Sequence, residues 1–165
     1  MIVSIWHILI ALIALQRLVE LAIARINTRR LLAAGGIEYG ARHYPLMVAL
    51  HVAWFVSLVV FVPAGAALDP LLFVVFLVLQ AGRVWVIASL GRHWTTRVIV
   101  VPGAALVKRG PYRWLRHPNY LIVIAEIAVV PLIAGAWEVA VAFTVANGAL
   151  LWRRMQVENV ALAGR

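Results

Sequence analysis

Cysteine is absent from this chain of 165 residues, which excludes disulfides, thiolate metal sites, iron–sulfur clusters and a cysteine nucleophile. Acidic residues are scarce, with 6 Asp and Glu against 15 Lys and Arg, for a formal net charge of +9. No internal repeat, low-complexity tract or polar linker interrupts the sequence, so one domain over residues 1–165 is expected. His7, His43, His51, His93 and His117 are scattered, with no i, i+4 pair and no adjoining carboxylate cluster, and no metal centre is expected. The amino-terminal stretch lacks a basic n-region, and no small-residue cleavage site follows, so the first apolar segment is expected to be retained as a helix. What abounds is apolar: 65% of residues are hydrophobic and the mean hydropathy is +0.98, well above the apolar fraction of about half in soluble domains. The chain reads as an integral membrane protein. Its basic residues flank apolar runs rather than lining one soluble face, which suits membrane lipids with anionic headgroups and excludes nucleic acid as the partner.

Five apolar segments are legible, at roughly residues 2–24, 45–62, 70–90, 118–133 and 137–151. A spanning helix needs about 20 apolar residues, and the first three segments meet that length. The last two are short. Joined by Ala134-Gly135-Ala136, they read as a helical hairpin that only just crosses the bilayer or is tilted and shielded by its neighbours. The expected fold is all-α and polytopic, with about five transmembrane helices and a short cytoplasmic helix at the C-terminus. Residues 25–42 carry Arg25, Arg29, Arg30 and Arg42; residues 92–116 carry Arg92, Arg97, Lys108, Arg109, Arg113 and Arg116; Arg153, Arg154 and Arg165 follow the last segment. Residues 63–69 and the turn at Gly135 hold no Lys or Arg. The positive-inside rule then places the N-terminus outside and the C-terminus in the cytoplasm. Residues 25–44 read as an interfacial connector with turns at Gly35-Gly36 and Gly40, and residues 97–102 as a short extended piece before a Pro102-Gly103 turn.

Several polar residues stand inside the apolar segments: Gln16, Arg17 and Glu20, then Gln80 and Arg83, then Glu126 and Asn147. Nearly all fall in the cytoplasmic half. They read either as the lining of one pocket or as interhelical hydrogen-bonding groups, with Arg17–Glu20 and Arg83–Glu126 as the expected pairs, because a lone intramembrane charge costs a few kcal/mol or more. The densest chemistry lies in Gly110-Pro111-Tyr112-Arg113-Trp114-Leu115-Arg116-His117-Pro118-Asn119-Tyr120, at the mouth of the fourth segment. A helix N-terminus offers free N–H groups and positive dipole to an anion, and Pro118 suits the first helical position. The same residues also fit an ordinary helix start at a membrane interface, where Tyr and Trp are enriched. Beyond the hairpin, Arg154 and Glu158 are spaced i, i+4, as a surface ion pair worth a few tenths of a kcal/mol would be, or as two ligand contacts.

Taken together, Gly110-Pro111-Tyr112, then Arg116-His117-Pro118-Asn119-Tyr120, then Arg154 and Glu158 resemble the signature of the isoprenylcysteine carboxyl methyltransferase family and the phospholipid methyltransferases related to it. The resemblance covers roughly the last 70 residues. It implies S-adenosylmethionine as methyl donor, bound within approximately residues 92–165 by Tyr112, Arg116, His117, Pro118, Asn119, Tyr120 and Glu158. The carboxylate of that cofactor would sit at the start of the fourth helix beside Arg116 and His117. Glu158 would hold its ammonium or ribose hydroxyls, and Tyr112, Trp114 and Tyr120 would stack on adenine or face the sulfonium. Arg154 is the expected catalytic residue, orienting an anionic acceptor, with Arg83, Trp94, Arg97, Glu126 and His51 on the acceptor side.

The implied reaction is methyl transfer to a carboxylate or hydroxyl oxygen of a lipophilic acceptor in the bilayer. The segment His93-Trp94-Thr95-Thr96-Arg97 is similar to that of a bacterial branch of the family. Members acting on prenylated cysteine usually carry a second glutamate where this sequence has Asn159, and an aromatic and acidic tail where it reaches Arg165. An alkylated phenol, pyrone or other lipid hydroxyl is therefore at least as fitting an acceptor as prenylcysteine. Phospholipid N-methylation is one alternative. A non-enzymatic small membrane transporter or lipid-binding subunit is another, although the inverted repeats or broken helices of transporters are not visible.

Overall fold

A computed structural model describes residues 4–163; the expected helix start at residue 2 and the basic residue Arg165 lie outside them. The chain runs α1 (Ile5–Ala33), β1 (Ile37–Tyr39), α2 (Tyr44–Val60), α3 (Pro70–Leu90), β2 (Val98–Val100), α4 (Pro118–Ile133) and α5 (Trp137–Ala163), with single 3-10 turns at Ala41–His43, Gly91–His93 and Gly110–Arg113. Helix starts follow local chemistry. Asp69 caps α3 by accepting from the N–H groups of Leu71 and Leu72 at 2.8 and 3.0 Å, and Pro70 and Pro118 sit in the first turns of α3 and α4, where a missing N–H costs nothing. Gly135, at φ 73°, closes the turn between α4 and α5.

Three helical stretches are long and apolar enough to cross a membrane, Ile5–Ala33, Ala41–Val60 and Pro70–His93. The outward faces are aliphatic: Leu18, Val60 and Val78 are all more than 60% exposed, as suits helices whose solvent is lipid. At 16 residues, α4 reaches only about 24 Å at ~1.5 Å per residue, less than the hydrocarbon thickness of about 30 Å.

Three expectations need correction. The connector expected over residues 25–44 is shorter, because α1 continues to Ala33 and carries Arg25, Arg29 and Arg30 on the helix, while Gly35 and Gly40 take positive φ in the remaining link to α2. Its buried face, Glu20, Ala24, Asn27 and Leu31, keeps helical spacing to the end, and Asn27 donates to the carbonyls of Gly91 and Trp94 at 3.1 and 2.8 Å. No separate C-terminal helix exists among the described residues, since α5 is continuous for 27 residues; nothing after Gly148 breaks it, and Leu, Met, Gln, Glu and Ala favour the helix. The fold is mostly helical rather than purely so. Strands β1 and β2 pair antiparallel, with Ile37 opposite Val100, Glu38 opposite Ile99 and Tyr39 opposite Val98.

The molecule is organised in tiers along the helix axes. At one end lies an apolar core of Trp6, Ile10 and Ile13 (α1), Trp54 and Leu58 (α2), Phe76 (α3), Ile127, Val130 and Ile133 (α4) and Val139 (α5). The N–H of Asp69 donates to the carbonyl of Ile133 at 2.8 Å and joins the two turns at that end. The middle tier is ionic. Arg83 meets Glu20 with a two-pronged contact, Nε to Oε1 and Nη2 to Oε2, each 2.8 Å, and reaches Glu126 Oε2 through Nη1 at 2.7 Å. Arg17 bridges the same carboxylates at 2.7 and 2.9 Å. Gln16 donates to Glu20 and Gln80, and Gln80 donates to Glu126. Each arginine thus holds both glutamates, and the set is formally neutral. The expected pairs are present inside a larger network, which forms because α1, α3 and α4 converge at one level. Asn147, fully buried in α5, is not part of it. The sheet and the signature residues make the third tier.

Candidate functional site

The third tier encloses a cleft of about 860 Å³, within the range of about 300 to 1,000 Å³ usual for ligand pockets. One side is polar, formed by Tyr112, Arg116, His117, Asn119, Tyr120, Arg154 and Glu158; the other is apolar, with Leu31, Leu90, Ile99, Leu106 and Leu162. Three elements supply the polar side: the 3-10 turn at Gly110–Arg113, the start of α4 and the penultimate turns of α5.

The turn is held by close approach to the end of α3. Gly110 adopts φ +56°, and a Cβ there would overlap Ser89 Oγ and lie 3.0 Å from Ser89 Cβ. Neither fault is tolerable to a larger residue. Arg109 Nε donates to the Ser89 carbonyl at 2.6 Å, Pro111 is buried, and the Pro111 carbonyl accepts from the N–H groups of Trp114 and Leu115. Tyr112 is thereby presented to the cleft, where burial and the charge of Glu158 push its phenol above the ordinary value of 10.0. Pro118 is itself buried at the first position of α4 and does not line the cleft; it sets the helix start that His117, Asn119 and Tyr120 share. No side chain caps this helix; Pro118 has no N–H and that of Tyr120 donates to the His117 carbonyl at 3.1 Å, so in the first three positions the Asn119 N–H is the group open to a ligand.

At the centre stands the Tyr120 hydroxyl. It donates to Glu158 Oε2 at 2.5 Å and accepts from Arg154 Nε at 2.8 Å. The direct i, i+4 ion pair of Arg154 with Glu158 is not formed, because this hydroxyl stands between them. His117 stacks on the Tyr120 ring at 5.2 Å and 8° and brings Nδ1 to 3.5 Å from Glu158 Oε2. Arg154 is buried, at 9% exposure. Its other contacts are to neutral groups, with Nη1 donating to the Thr96 carbonyl at 2.7 Å and to Met47 Sδ at 3.4 Å.

Of the residues expected on the acceptor side, Trp94 and Arg97 line the cleft and Arg83, Glu126 and His51 do not. Arg83 and Glu126 are consumed by the ionic tier, and His51 Nδ1 lies 2.8 Å from the Met47 carbonyl one turn earlier in α2. Two buried polar atoms in cleft-lining residues, Asn119 Oδ1 and Trp94 Nε1, have no hydrogen-bond partner, an arrangement that protein interiors avoid unless a ligand or water completes it. Sequence reasoning missed Met47, Glu38 and the Thr96 carbonyl. Met47 carries no signal inside an apolar segment, and Glu38 acquires its meaning only through Arg97, which it meets at 2.8 Å across the sheet.

The chain is 40% identical over 161 residues to a Bacillus subtilis (strain 168) protein called "Uncharacterized protein YpbQ", spanning 94% of this chain and 95% of that one. A Haemophilus influenzae (strain ATCC 51907 / DSM 11121 / KW20 / Rd) protein, called "Uncharacterized protein", is 25% identical over 125 residues, or 70% of each chain. No solved structure matches. The sequence pattern described as the isoprenylcysteine carboxyl methyltransferase (ICMT) family matches residues 71–164, more than half of the chain and all of the polar wall of the cleft. This protein belongs to the isoprenylcysteine carboxyl methyltransferase family, a family of membrane methyltransferases.

Proposed function

We propose that the protein transfers the methyl group of S-adenosylmethionine to a carboxylate or hydroxyl oxygen of a lipophilic acceptor that enters the cleft from the bilayer. The observation that carries this reading is the convergence of both halves of the signature on the Tyr120 hydroxyl, which joins Arg154 to Glu158. The cleft residues fit the cofactor. Glu158 suits its ammonium, and the uncapped start of α4 with Arg116 and His117 suits its carboxylate. Asn119 Oδ1, a buried acceptor without a donor, suits an amino group or hydroxyl, and Tyr112 and Tyr120 offer ring faces to a cation or a base. When bound, the cofactor supplies an electrophilic methyl carbon.

The chain's own task is alignment and exclusion of water. Arg154 holds the acceptor oxygen as an anion. Tyr120 fixes the direction of the guanidinium, and Trp94 and Arg97 border the acceptor. A carboxylate or acidic enol is already ionised near neutrality, so no strong base is needed. The cofactor approaches from the cytoplasm, which the clustering of arginines at the cleft end supports. Phospholipid N-methylation is the weaker reading, since Arg97 and Arg154 would repel an ammonium.

Calorimetry on the purified protein tests the assignment. His117→Ala and Glu158→Ala should each weaken S-adenosylmethionine binding by about tenfold or more, the value of one charge-assisted contact of about 1.5 to 3 kcal/mol. Arg154→Ala should keep cofactor affinity within a few-fold and depress turnover, because acceptor alignment acts on the barrier. Loss of cofactor binding in Arg154→Ala would reverse the two roles, and absence of binding in the wild type at millimolar concentration would end the reading.

A further inference from the structure

A second, small cavity lies against the cleft, lined by Glu38, Tyr39, Gly40, His43, Tyr44 and Met47 together with Arg97, Val98 and Arg154. Its volume of about 10 Å³ admits little more than one water. Arg97 and Arg154 line both cavities and form the wall between them. The two guanidiniums are held differently. Arg97 Nη1 contacts both oxygens of Glu38, at 2.8 and 3.0 Å, and the guanidinium carbon Cζ lies 4.6 Å from the centre of the Tyr44 ring. This pair is part-exposed, at 39% and 20%, and such pairs are weak enough to exchange. Arg154 is buried and reaches a carboxylate only through the Tyr120 hydroxyl, which bonds Glu158.

The charge balance of the cleft points the same way. Arg97, Lys108, Arg116 and Arg154 line it against two carboxylates, Glu158 of the lining and Glu38 paired with Arg97. S-adenosylmethionine carries a sulfonium, an ammonium and a carboxylate, a net single positive charge, and leaves that surplus standing. A molecule that brings negative charge would offset this surplus.

Resting on the methyltransferase reading above, we infer that the Arg97–Arg154 wall is the seat for the acceptor's anionic end, and that Arg97 exchanges Glu38 for that anion. The acceptor's head would then be a carboxylate or ionised enol, with its tail in the apolar part of the cleft. Glu38 is a specificity-determining residue. It occupies Arg97 when the seat is empty, so it sets how tightly an anionic head group must bind Arg97 to displace it.

The test uses the full chain in phosphatidylcholine nanodiscs, titrated calorimetrically with dodecanoate and with dodecylamine and corrected with empty nanodiscs. Each titration is run with and without S-adenosylhomocysteine. Dodecanoate should bind saturably and dodecylamine should not. Arg97→Gln should weaken dodecanoate by about tenfold or more, whereas Glu38→Gln should tighten it a few-fold, because the competing carboxylate is gone. Opposite responses from the two partners of one ion pair are not what a structural clip gives, since breaking a clip from either side loosens the same sheet. Equal weakening by both variants, or saturable binding of the amine, or no saturable binding of either probe, would overturn the seat. Weakened S-adenosylhomocysteine binding in Arg97→Gln would also overturn it by moving Arg97 to the cofactor. Failure of the wild type to bind S-adenosylhomocysteine would instead fault the methyltransferase reading, and the dodecanoate titration made without it still reads the seat.

Discussion

Removing one carboxylate from the ionic tier is a sharp test of how this bundle is held. Glu126→Gln leaves Arg17 and Arg83 facing Glu20 alone, with one positive charge uncompensated. The lost Oε2 accepted from Arg17 Nη2 at 2.9 Å and Arg83 Nη1 at 2.7 Å, and the new amide turns an N–H group towards donors. Breaking a buried pair from one side costs about 3 to 5 kcal/mol, and the expected loss lies in that range. Neutrality is restored by a second substitution, and the geometry ranks the two choices. Arg17→Gln with Glu126→Gln leaves the two-pronged Arg83–Glu20 contact, whereas Arg83→Gln with Glu126→Gln leaves the single 2.7 Å contact of Arg17 with Glu20. Arg17 is also the more exposed of the two, at 17% against 8%. Both double variants should recover part of the loss, about 0.5 to 3 kcal/mol of coupling, with the Arg17 double variant the more stable. Equilibrium unfolding by increasing SDS mole fraction, followed by circular dichroism, measures the wild type, the three single variants Arg17→Gln, Arg83→Gln and Glu126→Gln, and the two double variants. Additive losses, or the reverse ranking of the double variants, would refute the network as the source of stability.

Three further outcomes are expected. Gly110→Ala should lower thermal stability and S-adenosylmethionine affinity together, and Ser89→Gly should restore part of both, because the new Cβ meets Ser89 Oγ and Cβ; calorimetry and a thermal scan read the pair. For Tyr112, a phenol pKa raised by burial above 10.0 contributes stability that is complete below pH 10 and lost as the pH climbs further, since the unfolded chain ionises first. Tyr112→Phe should therefore flatten the alkaline fall of stability measured by denaturant titration, and an unchanged slope would refute a buried neutral phenol. The absence of cysteine makes topology directly measurable: Ala67→Cys should label in intact cells with an impermeant thiol reagent and Ala105→Cys only after permeabilisation, the reverse result inverting the proposed orientation.

What could be read from the sequence was what local chemistry decides. The bounds of α3 and α4 are legible because Asp69-Pro70 and Pro118 start them and Gly91 and Gly135 follow them. The far ends of α1 and α5 were misjudged for a common reason. Arginines at 25, 29, 30, 153 and 154 mark where a span leaves hydrocarbon, but a charged helix can continue into water as a helix, and both do. Strand β1 has only three residues, too few for a period of two to show, and exists because β2 pairs with it from far along the chain. In the site, the cleft collects Tyr112, Arg116, His117, Asn119, Tyr120, Arg154 and Glu158 as the signature implies, with Pro118 acting from beneath. The interposed Tyr120 hydroxyl was not legible, since spacing along one helix says nothing of a side chain arriving from another. Arg83 and Glu126 drew attention as intramembrane charges, yet a sequence shows charges singly, and their full set of partners depends on three helices meeting at one depth.

The ionic tier also bears on how the chain is made. Helices are synthesised in order, and α1 brings Arg17 and Glu20, a pair already neutral within one turn. Arg83 arrives next on α3 and can share Glu20, but the growing bundle then holds one positive charge too many until α4 delivers Glu126. That helix is also the short one, with 16 residues, the least able to settle in hydrocarbon on its apolar surface alone. Its carboxylate meets two guanidiniums carried by earlier helices, which offsets the cost of placing that charge among apolar helices. A chain halted before α4 lacks the carboxylate that both arginines share, and the charge set is completed by the helix whose first turn borders the cleft.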